Sequence, residues 1–287
     1  MKRCRMGDHE VDMSLNMGID ITTVQGIFWL CSLYTFIAVT IIWGLGLVLG
    51  DHALMDGYYG FGYLIPGWIA FVLCDAKSQT AAMLLLMVSL HGARLGTYLA
   101  RRWGVYRRTI GSDPRYITFK KNLSPGYWWK SFFLVMHSQT LVIVVVGLPS
   151  VVGILMTKDV PGNGIGWLSA LGMLVFAVGL YFETVADAQL QAFKANPDNK
   201  GKYLRYGVWT HSRHPNYFGT TTVWWGVYLV AVAGNPAAWW TIVGPVVNTI
   251  MLAGVTGTPM TDRIMKEKTE YQKVIEETRG FLPLPKK

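Results

Sequence analysis

The chain has few charged residues for its length. Of its 287 residues, 15% are charged and 52% are hydrophobic. A soluble globular domain carries roughly 25% charged residues. This shortage of charge argues against a soluble enzyme or binding domain, and it predicts an all-α, polytopic membrane protein.

Cysteine is also scarce. Cys4, Cys31 and Cys74 form no spaced pair, so the sequence predicts neither a disulfide framework nor a zinc site, and we assign no metal-binding residues. The first 20 residues are too polar for the apolar region of a signal peptide, which favours a retained first span. Without a long linker or repeat, we expect one membrane domain over 1–287, with N-terminal helices in 1–130 and C-terminal helices and loops in 131–287.

Seven apolar runs are long enough to cross a hydrocarbon core about 30 Å thick. They lie at 23–49, 53–74, 80–100, 131–156, 164–182, 217–234 and 237–260. Glycines and Pro66 interrupt the second run, and a short hinge at 234–236 separates the last two. Such residues are tolerated in membrane helices when neighbours satisfy the backbone. We therefore predict about seven transmembrane helices.

Positive charge is concentrated in the segments 101–130 and 183–216 and in the C-terminal tail. Together they hold 20 of the 26 lysine and arginine residues. Seven spans put all three on one side, and the positive-inside rule makes that side the cytoplasm, with the N-terminus outside. Because these bases flank spanning helices, the net charge of +9 predicts contact with membrane lipids rather than nucleic acid. No feature indicates a protein partner.

Polar residues recur at the end of the fifth run. Glu183, Asp187, Gln191 and Lys194 are spaced i, i+4, i+8 and i+11, which places them on one face of a helix. One interpretation is a solvated helix end, held by pairs such as Asp187–Gln191. The other is a ligand-binding stripe, in which carboxylate and amide bind ribose hydroxyls or a carboxamide and the lysine binds a phosphate.

A turn at 196–202 follows this stripe and contains Asn199, Lys200 and Lys202. Backbone amides beside lysines can hold a phosphate. Contact with lipid headgroups explains the same lysines equally well. The turn therefore adds candidate phosphate ligands without deciding between the two interpretations.

The sixth run is predicted to begin as a helix at Pro215, whose missing N–H is not needed in a first turn. Helix N-termini favour anions. Here basic, amide and aromatic side chains surround the N-terminus: Arg213, His214, Asn216 and Tyr217. A simple cap needs only one small polar residue, so we favour ligand binding. The tail that contains Asp262 and Tyr271 is predicted to be a solvated charged helix.

Ionisable residues also lie inside the N-terminal apolar runs. Asp56 is in the second run, and His91 and Arg94 lie one turn apart in the third. Such residues are functional candidates by default, and Asp56 or His91 would donate a proton or hydrogen bond to a substrate oxygen. A structural salt bridge between Asp56 and Arg94 is the alternative. Aromatic residues such as Tyr59 would line a lipophilic pocket or anchor the helices.

Several segments together resemble the steroid 5-alpha-reductase C-terminal-domain family, in particular its bacterial branch. The matching stretches run in order through most of the chain: Asp113-Pro-Arg-Tyr116, Pro125-Gly-Tyr-Trp-Trp-Lys130, Val185-Ala-Asp-Ala-Gln-Leu-Gln-Ala-Phe-Lys194, Asn199-Lys-Gly-Lys202, Gly207-Val-Trp-Thr-His-Ser-Arg-His-Pro-Asn-Tyr-Phe-Gly219 and Thr278-Arg-Gly-Phe-Leu-Pro283. The Arg-His-Pro-x-Tyr element alone is not specific, since isoprenylcysteine carboxyl methyltransferases and sterol reductases also contain it.

The resemblance implies a seven-helix membrane oxidoreductase that binds NADPH through its C-terminal half and a lipophilic substrate among its first four helices. With the polar segments above, the predicted cofactor-binding set is Asp187, Gln191, Lys194, Asn199, Lys200, Lys202, Trp209, Arg213, His214, Asn216, Tyr217 and Asp262. The predicted catalytic residues are Asp56 and His91, with Arg94 and Tyr59 at the substrate. Hydride would reach the β-carbon of an α,β-unsaturated ketone (a steroid-like 3-oxo-Δ4 compound is one candidate), with a donor stabilising the enolate oxygen.

Three positions depart from the family pattern. Thr220 and Asp262 stand where the branch has Glu, and His91 stands where the steroid reductases use tyrosine. The change at 220 removes a carboxylate beside the expected nicotinamide, which puts the cofactor geometry in question. Two alternatives therefore stay open: a membrane methyltransferase that uses S-adenosylmethionine, and a non-catalytic lipid-binding membrane protein.

Overall fold

The computed structural model describes residues 14–15, 19–74, 78–157, 165–265 and 269–285. Most of the described chain is helical, and strands β1 (Ser14–Leu15) and β2 (Ile19–Asp20) form a short antiparallel pair. The chain forms two compact units: unit 1 is 1–165 with 231–241, and unit 2 is 166–230 with 242–287. We expected one membrane domain with N-terminal helices in 1–130 and C-terminal helices and loops in 131–287, and residue 130 lies inside unit 1.

Among its described residues, unit 1 contains eight α-helices of its own, and several of their ends follow local sequence signals. The Thr23 hydroxyl accepts a hydrogen bond from the Gly26 amide and caps α1, which ends at Gly50 with φ of 66°; Ser78 caps α4 in the same way. A π-helical turn, Phe132–His137, joins α6 to α7. The helices are α1 (Val24–Leu49), α2 (Leu54–Tyr59), α3 (Phe61–Leu73), α4 (Gln79–Ile110), α5 (Pro114–Asn122), α6 (Tyr127–Ser131), α7 (Ser138–Val146) and α8 (Leu148–Met156).

Glycines that interrupt the second apolar run make close helix packing possible. A β-carbon on Gly60 would overlap the backbone of Gly92 and Gly96 on α4. Gly67 faces Val88 on the same helix, where a β-carbon would lie 2.9 Å from its Cγ2. Small residues let helix backbones approach closely, so α2 and α3, into which this run is divided, can both lie against α4.

Unit 2 is built around two long helices, α9 and α10. They pack through small residues, because a β-carbon on Gly219 would lie 2.7 Å from the carbonyl oxygen of Gly179, and one on Gly226 would lie 2.7 Å from that of Gly172. The helices are α9 (Trp167–Ala195), α10 (Pro215–Gly234), α11 (Val243–Thr249), α12 (Thr258–Met265) and α13 (Thr269–Glu277). Its short turns are Pro197–Asn199, Gly207–Trp209 and the π-helical Ile250–Val255, whereas the turn Pro236–Ile242 lies in unit 1 up to residue 241.

Within the described residues, five helices are long and apolar enough to cross a membrane: Val24–Leu49, Gln79–Ile110, Tyr127–Val146, Trp167–Ala195 and Pro236–Val255. They coincide with five of the seven predicted runs, which confirms the helical membrane character. The second run is split at Gly60. The sixth is the continuous helix α10, whose first turns are polar at Asn216 and Thr220. The count of seven and the orientation stay predictions.

Candidate functional site

Two buried carboxylates lie on the same face of α9, at Glu183 and Asp187, which are 1% and 4% exposed. The Thr220 hydroxyl of α10 donates a hydrogen bond to Glu183 Oε1 at 2.7 Å. One turn away, Asn216 Nδ2 donates to Asp187 Oδ1 at 3.2 Å. We call these four residues the carboxylate rungs. They continue the close α9–α10 contact that the glycines begin, and they place two acidic groups inside an apolar helix pair.

The carboxylate that position 220 lacks is thus present beside Thr220, on the neighbouring helix. Sequence reasoning placed Glu183 on the polar stripe but left it out of the cofactor-binding set. Its i, i+4 spacing from Asp187 was the available signal. Its pairing with Thr220 joins residues 37 positions apart, which a helical pattern within α9 does not reveal.

The Asp262 carboxylate contacts three polar side chains near the start of α10. Arg213 Nη2 lies 2.7 Å from Oδ2, His214 Nε2 lies 3.3 Å from Oδ1, and the Tyr271 hydroxyl donates to Oδ1 at 2.6 Å. The His214 ring stacks on Tyr217, with centroids 5.1 Å apart. Burial acts to raise the pKa of the Asp262 carboxyl. Hydrogen bonds from His214, Arg213 and Tyr271 outweigh burial, so this pKa lies well below its usual value.

Arg213 also holds the C-terminal tail in place through hydrogen bonds. Its guanidinium donates to the carbonyl oxygen of Thr278, and its backbone N–H donates to the Arg279 carbonyl at 2.9 Å. The neighbouring Ser212 hydroxyl donates to the Phe281 carbonyl at 2.8 Å. We call these bonds the tail contact. The tail is therefore not simply the solvated helix that we expected, since Tyr271 is buried and faces Asp262.

The remaining predicted cofactor ligands divide into two groups. Trp209 and Asn199 hold loops against α9, since the indole Nε1 donates to the Ala186 carbonyl at 3.1 Å and the Asn199 amide donates to the Phe193 carbonyl at 3.0 Å. The other group is exposed at and beyond the end of α9: Gln191, Lys194, Lys200 and Lys202.

In unit 1, Asp56 lies at the centre of a charge cluster. Arg102 Nη2 is 2.6 Å from Asp56 Oδ2, Arg115 Nη2 bonds the same oxygen, and the Tyr116 hydroxyl donates to Oδ1 at 3.0 Å. Arg115 also bonds Asp113, whose side chain caps α5. The basic partners of Asp56 here are Arg102 and Arg115, where the structural alternative had named Arg94; the catalytic role of Asp56 stays a prediction. Sequence reasoning had assigned these bases to membrane topology alone.

Asp51 forms a second cluster, which the sequence analysis missed. Its carboxylate accepts hydrogen bonds from the Ser112 hydroxyl at 2.6 Å and from Trp103 Nε1 at 2.8 Å, and Arg107 lies 3.4 Å away. Burial acts to raise the pKa of this carboxyl, but hydrogen bonds from Ser112, the Ala53 amide and Trp103 outweigh it and lower the pKa. Asp51 therefore ties the start of α2 to the end of α4.

The other predicted substrate-side residues lie around Tyr63 and along α4. His91 is 1% exposed, and its ring centroid is 6.2 Å from that of Tyr63. Tyr59 meets the same ring edge to face at 5.8 Å. The Arg94 guanidinium lies 5.4 Å from the centre of the Tyr98 ring. The Tyr63 ring therefore contacts both His91 and Tyr59, two of the residues that the sequence analysis assigned to the substrate side.

Comparisons with known proteins identify a family for most of the chain. The family described as "Protein of unknown function (DUF1295)" matches residues 42–278, a range that contains the carboxylate rungs, the Asp262 cluster and the Asp56 cluster. A 55-residue stretch is 46% identical to the "Probable O-methyltransferase ustE" of Ustilaginoidea virens, and it covers 19% of this chain and 19% of that protein. No solved structure matches the chain.

Proposed function

The chain belongs to the DUF1295 family, and we propose that it is a membrane reductase that uses NADPH to reduce a lipophilic α,β-unsaturated ketone. The observation that carries this proposal is the set of carboxylate rungs. Ionisable groups inside a membrane helix are costly and mark functional positions. Two buried carboxylates one turn apart, at Glu183 and Asp187, exceed what is needed to hold two helices that already pack through glycine.

The residues around the rungs fit the polar groups of a dinucleotide. Carboxylate oxygens accept hydrogen bonds from ribose hydroxyls, and this role is assigned to Asp187, with Asn216 held beside it. Lys194, Lys200 and Lys202 are exposed further along the chain and are suited as point charges to phosphates. Arg213 and His214 pair with Asp262, and the proposal assigns the 2′-phosphate to the exposed lysines at the end of α9 and in the turn that follows.

The protein's own groups then have distinct tasks. NADPH supplies a hydride when it is bound. Glu183 and Thr220 hold α9 and α10 together next to Asp187 and Asn216. Asp56 is given a structural role within this proposal, because its carboxylate already accepts hydrogen bonds from three donors.

A membrane methyltransferase is the second candidate, favoured by the short match to a probable O-methyltransferase. S-Adenosylmethionine also has ribose hydroxyls, so the same carboxylates could bind it. It has no 2′-phosphate, and the lysines would then have no part in recognition. The two candidates therefore differ in whether lysine substitutions affect cofactor binding.

The deciding experiment measures thermal stability of the detergent-purified protein with NADPH, NADH and S-adenosylmethionine separately, because a bound ligand raises the melting temperature. We expect the largest increase with NADPH. Asp187→Asn should lose this increase, and Asp198→Asn should keep it, since Asp198 is an exposed carboxylate in the nearby turn. Each variant is compared with its own ligand-free melting temperature.

Lysine variants test the phosphate assignment. Replacing Lys194, Lys200 and Lys202 together by Gln should reduce the NADPH increase towards that of NADH, whereas Lys273→Gln, an exposed lysine on α13, should not. Stabilisation by S-adenosylmethionine alone would replace the reductase with the methyltransferase. No stabilisation of the wild-type protein by any of the three compounds would overturn the cofactor assignment and favour the lipid-binding alternative.

A further inference from the structure

Helix α5 connects two helices that are long and apolar enough to cross a membrane. The first, Gln79–Ile110, ends four residues before Pro114, and the second, Tyr127–Val146, begins five residues after Asn122. A connection of five residues reaches at most roughly 18 Å, since one extended residue spans about 3.6 Å. The C-terminal end of α5 is therefore held close to the membrane surface at which the second helix begins.

The inner face of α5 is fixed by buried carboxylates. Asp113 accepts a hydrogen bond from the backbone amide of Arg115 and caps the helix. The Arg115 guanidinium bonds both Asp113 and Asp56. Tyr116 is buried, and its hydroxyl donates to Asp56. These contacts determine which side of α5 is turned towards the protein and which side is left outside.

Four basic side chains in the same part of unit 1 have no acidic partner. Each buried carboxylate nearby already pairs with an arginine: Asp51, Asp56 and Asp113. The four bases are exposed and form no ion pair in the part of the chain that the structure describes: Arg101, Arg108, Lys120 and Lys121. Unpaired positive charge attracts anions, so this end of unit 1 is suited to an anionic ligand.

The outer face of α5 combines these bases with an exposed apolar side chain. Ile117 is exposed, and Lys120 and Lys121 follow it at i+3 and i+4, which places the three on one face. At the start of the next helix, α6, Trp128 and Trp129 are also exposed. Tryptophan is enriched where membrane meets water, and helices with basic and apolar groups together lie in that interface. The face therefore fits a lipid better than a small free anion.

We propose that α5 and the start of α6 bind the headgroups of anionic phospholipids. Lys120 and Lys121 contact the phosphates, and Ile117, Trp128 and Trp129 enter the boundary between headgroups and acyl chains. This lipid surface does not depend on the proposed function. Because the inner face of α5 is bonded to the Asp56 cluster, lipid bound on its outer face should also stabilise unit 1.

The test follows the melting temperature of the detergent-purified protein during titration with one of two short-chain lipids. Dioctanoyl-phosphatidylglycerol is anionic, and dioctanoyl-phosphatidylcholine has no net charge. A lipid that binds the folded protein raises the melting temperature with its concentration. We expect tighter apparent binding of phosphatidylglycerol, and we expect salt to reduce this preference because it screens exposed charges.

Two variants separate the charged and apolar parts of the surface. Lys120→Gln combined with Lys121→Gln should weaken the apparent affinity for phosphatidylglycerol by roughly 25-fold, about fivefold for each lysine, and leave that for phosphatidylcholine unchanged. Ile117→Ser should weaken binding of both lipids by roughly tenfold, since it removes an apolar contact that both lipids make. All three positions are exposed, so the variants should fold.

The matched control is Arg263→Gln combined with Lys273→Gln, which removes the same charge from exposed positions on α12 and α13. It should keep the preference for phosphatidylglycerol. The proposal is overturned if the double lysine variant binds this lipid as the wild type does, if the control loses as much affinity, or if the wild type does not distinguish the two lipids. Stabilisation by inorganic phosphate equal to that by phosphatidylglycerol would also overturn it, because the lysines would then bind a free anion.

Discussion

At Asp56 one carboxylate balances two guanidinium groups. Asp56→Asn would remove the charge and leave Arg102 and Arg115 close together. Breaking a buried ion pair is strongly destabilising, but both arginine side chains are partly exposed, at 31% and 41%. We therefore expect a loss of about 2 kcal/mol in the free energy of unfolding. Thermal unfolding of the ligand-free protein measures it.

Asp198→Asn is the matched control for this substitution and should leave the melting temperature unchanged, since Asp198 is exposed. A catalytic Asp56 would give a different pattern. If Asp56→Asn unfolded at the wild-type temperature and lost only activity, the structural role given to this carboxylate would be wrong.

The lowered pKa of the Asp262 carboxyl predicts how the stability of the protein depends on pH. The pKa of the Asp262 carboxyl is lower in the folded protein than the unfolded value of about 3.9. Its ionised form therefore stabilises the folded protein fully at pH values above the unfolded pKa. The contribution is lost as the pH falls towards the folded pKa. The difference in melting temperature between the wild type and Asp262→Asn should therefore be constant near pH 6 and shrink below about pH 4. A difference that grows in acid would contradict this assignment.

Individual residues were predictable from sequence where the helical pattern reached them. Asp187 and Asn216 were both assigned to the ligand-binding set, and the structure brings them together. Contacts such as Arg213 with Thr278 join positions 65 residues apart. No periodic pattern encodes such a distance, because it depends on how the tail packs in unit 2.

At the scale of helices, the α9–α10 contact depends on the absence of side chains. Gly219→Ala should destabilise the protein by about 1–3 kcal/mol, because the new methyl group would meet the backbone of Gly179 and Glu183. It should also weaken cofactor binding, since the carboxylate rungs lie on the same helix pair. Melting temperature and NADPH affinity measure the two effects.

Gly44→Ala is the control for this change. Gly44 is also inside a long apolar helix, but a β-carbon there meets no atom within 4 Å. Its melting temperature should equal or slightly exceed that of the wild type, since alanine has the higher helix propensity. Equal destabilisation by both substitutions would show that the loss at Gly219 does not come from the close α9–α10 packing.

Helices were easier to predict than their interruptions. Uniform apolar runs such as Val24–Leu49 were recognisable from hydropathy alone. The division of the second run at Gly60 was not, because the same glycines are compatible with one continuous helix or with two short ones. The π-helical turn Phe132–His137 also had no signal, since its sequence is as apolar as the helix that follows.

For the whole molecule, the distribution of charge predicts membrane orientation. A single cysteine at Lys120 or Lys200 should react with a membrane-impermeant thiol reagent from the cytoplasmic side only. Ile165→Cys, at the other end of α9 and 62% exposed, should react from the opposite side. Labelling intact cells and inverted vesicles makes the comparison. Reaction of Lys120→Cys and Lys200→Cys from different sides would rule out the predicted topology.

The tail contact has a consequence for biosynthesis. Ser212 bonds a residue 69 positions later in the chain. At about 5–20 residues per second, the ribosome adds Phe281 roughly 3 to 14 seconds after Ser212. During that interval the residues before α10 have been made but still lack the tail contact. A frameshift or stop codon in the last few codons before Phe281 would remove the tail contact permanently, although every apolar run would already have been made.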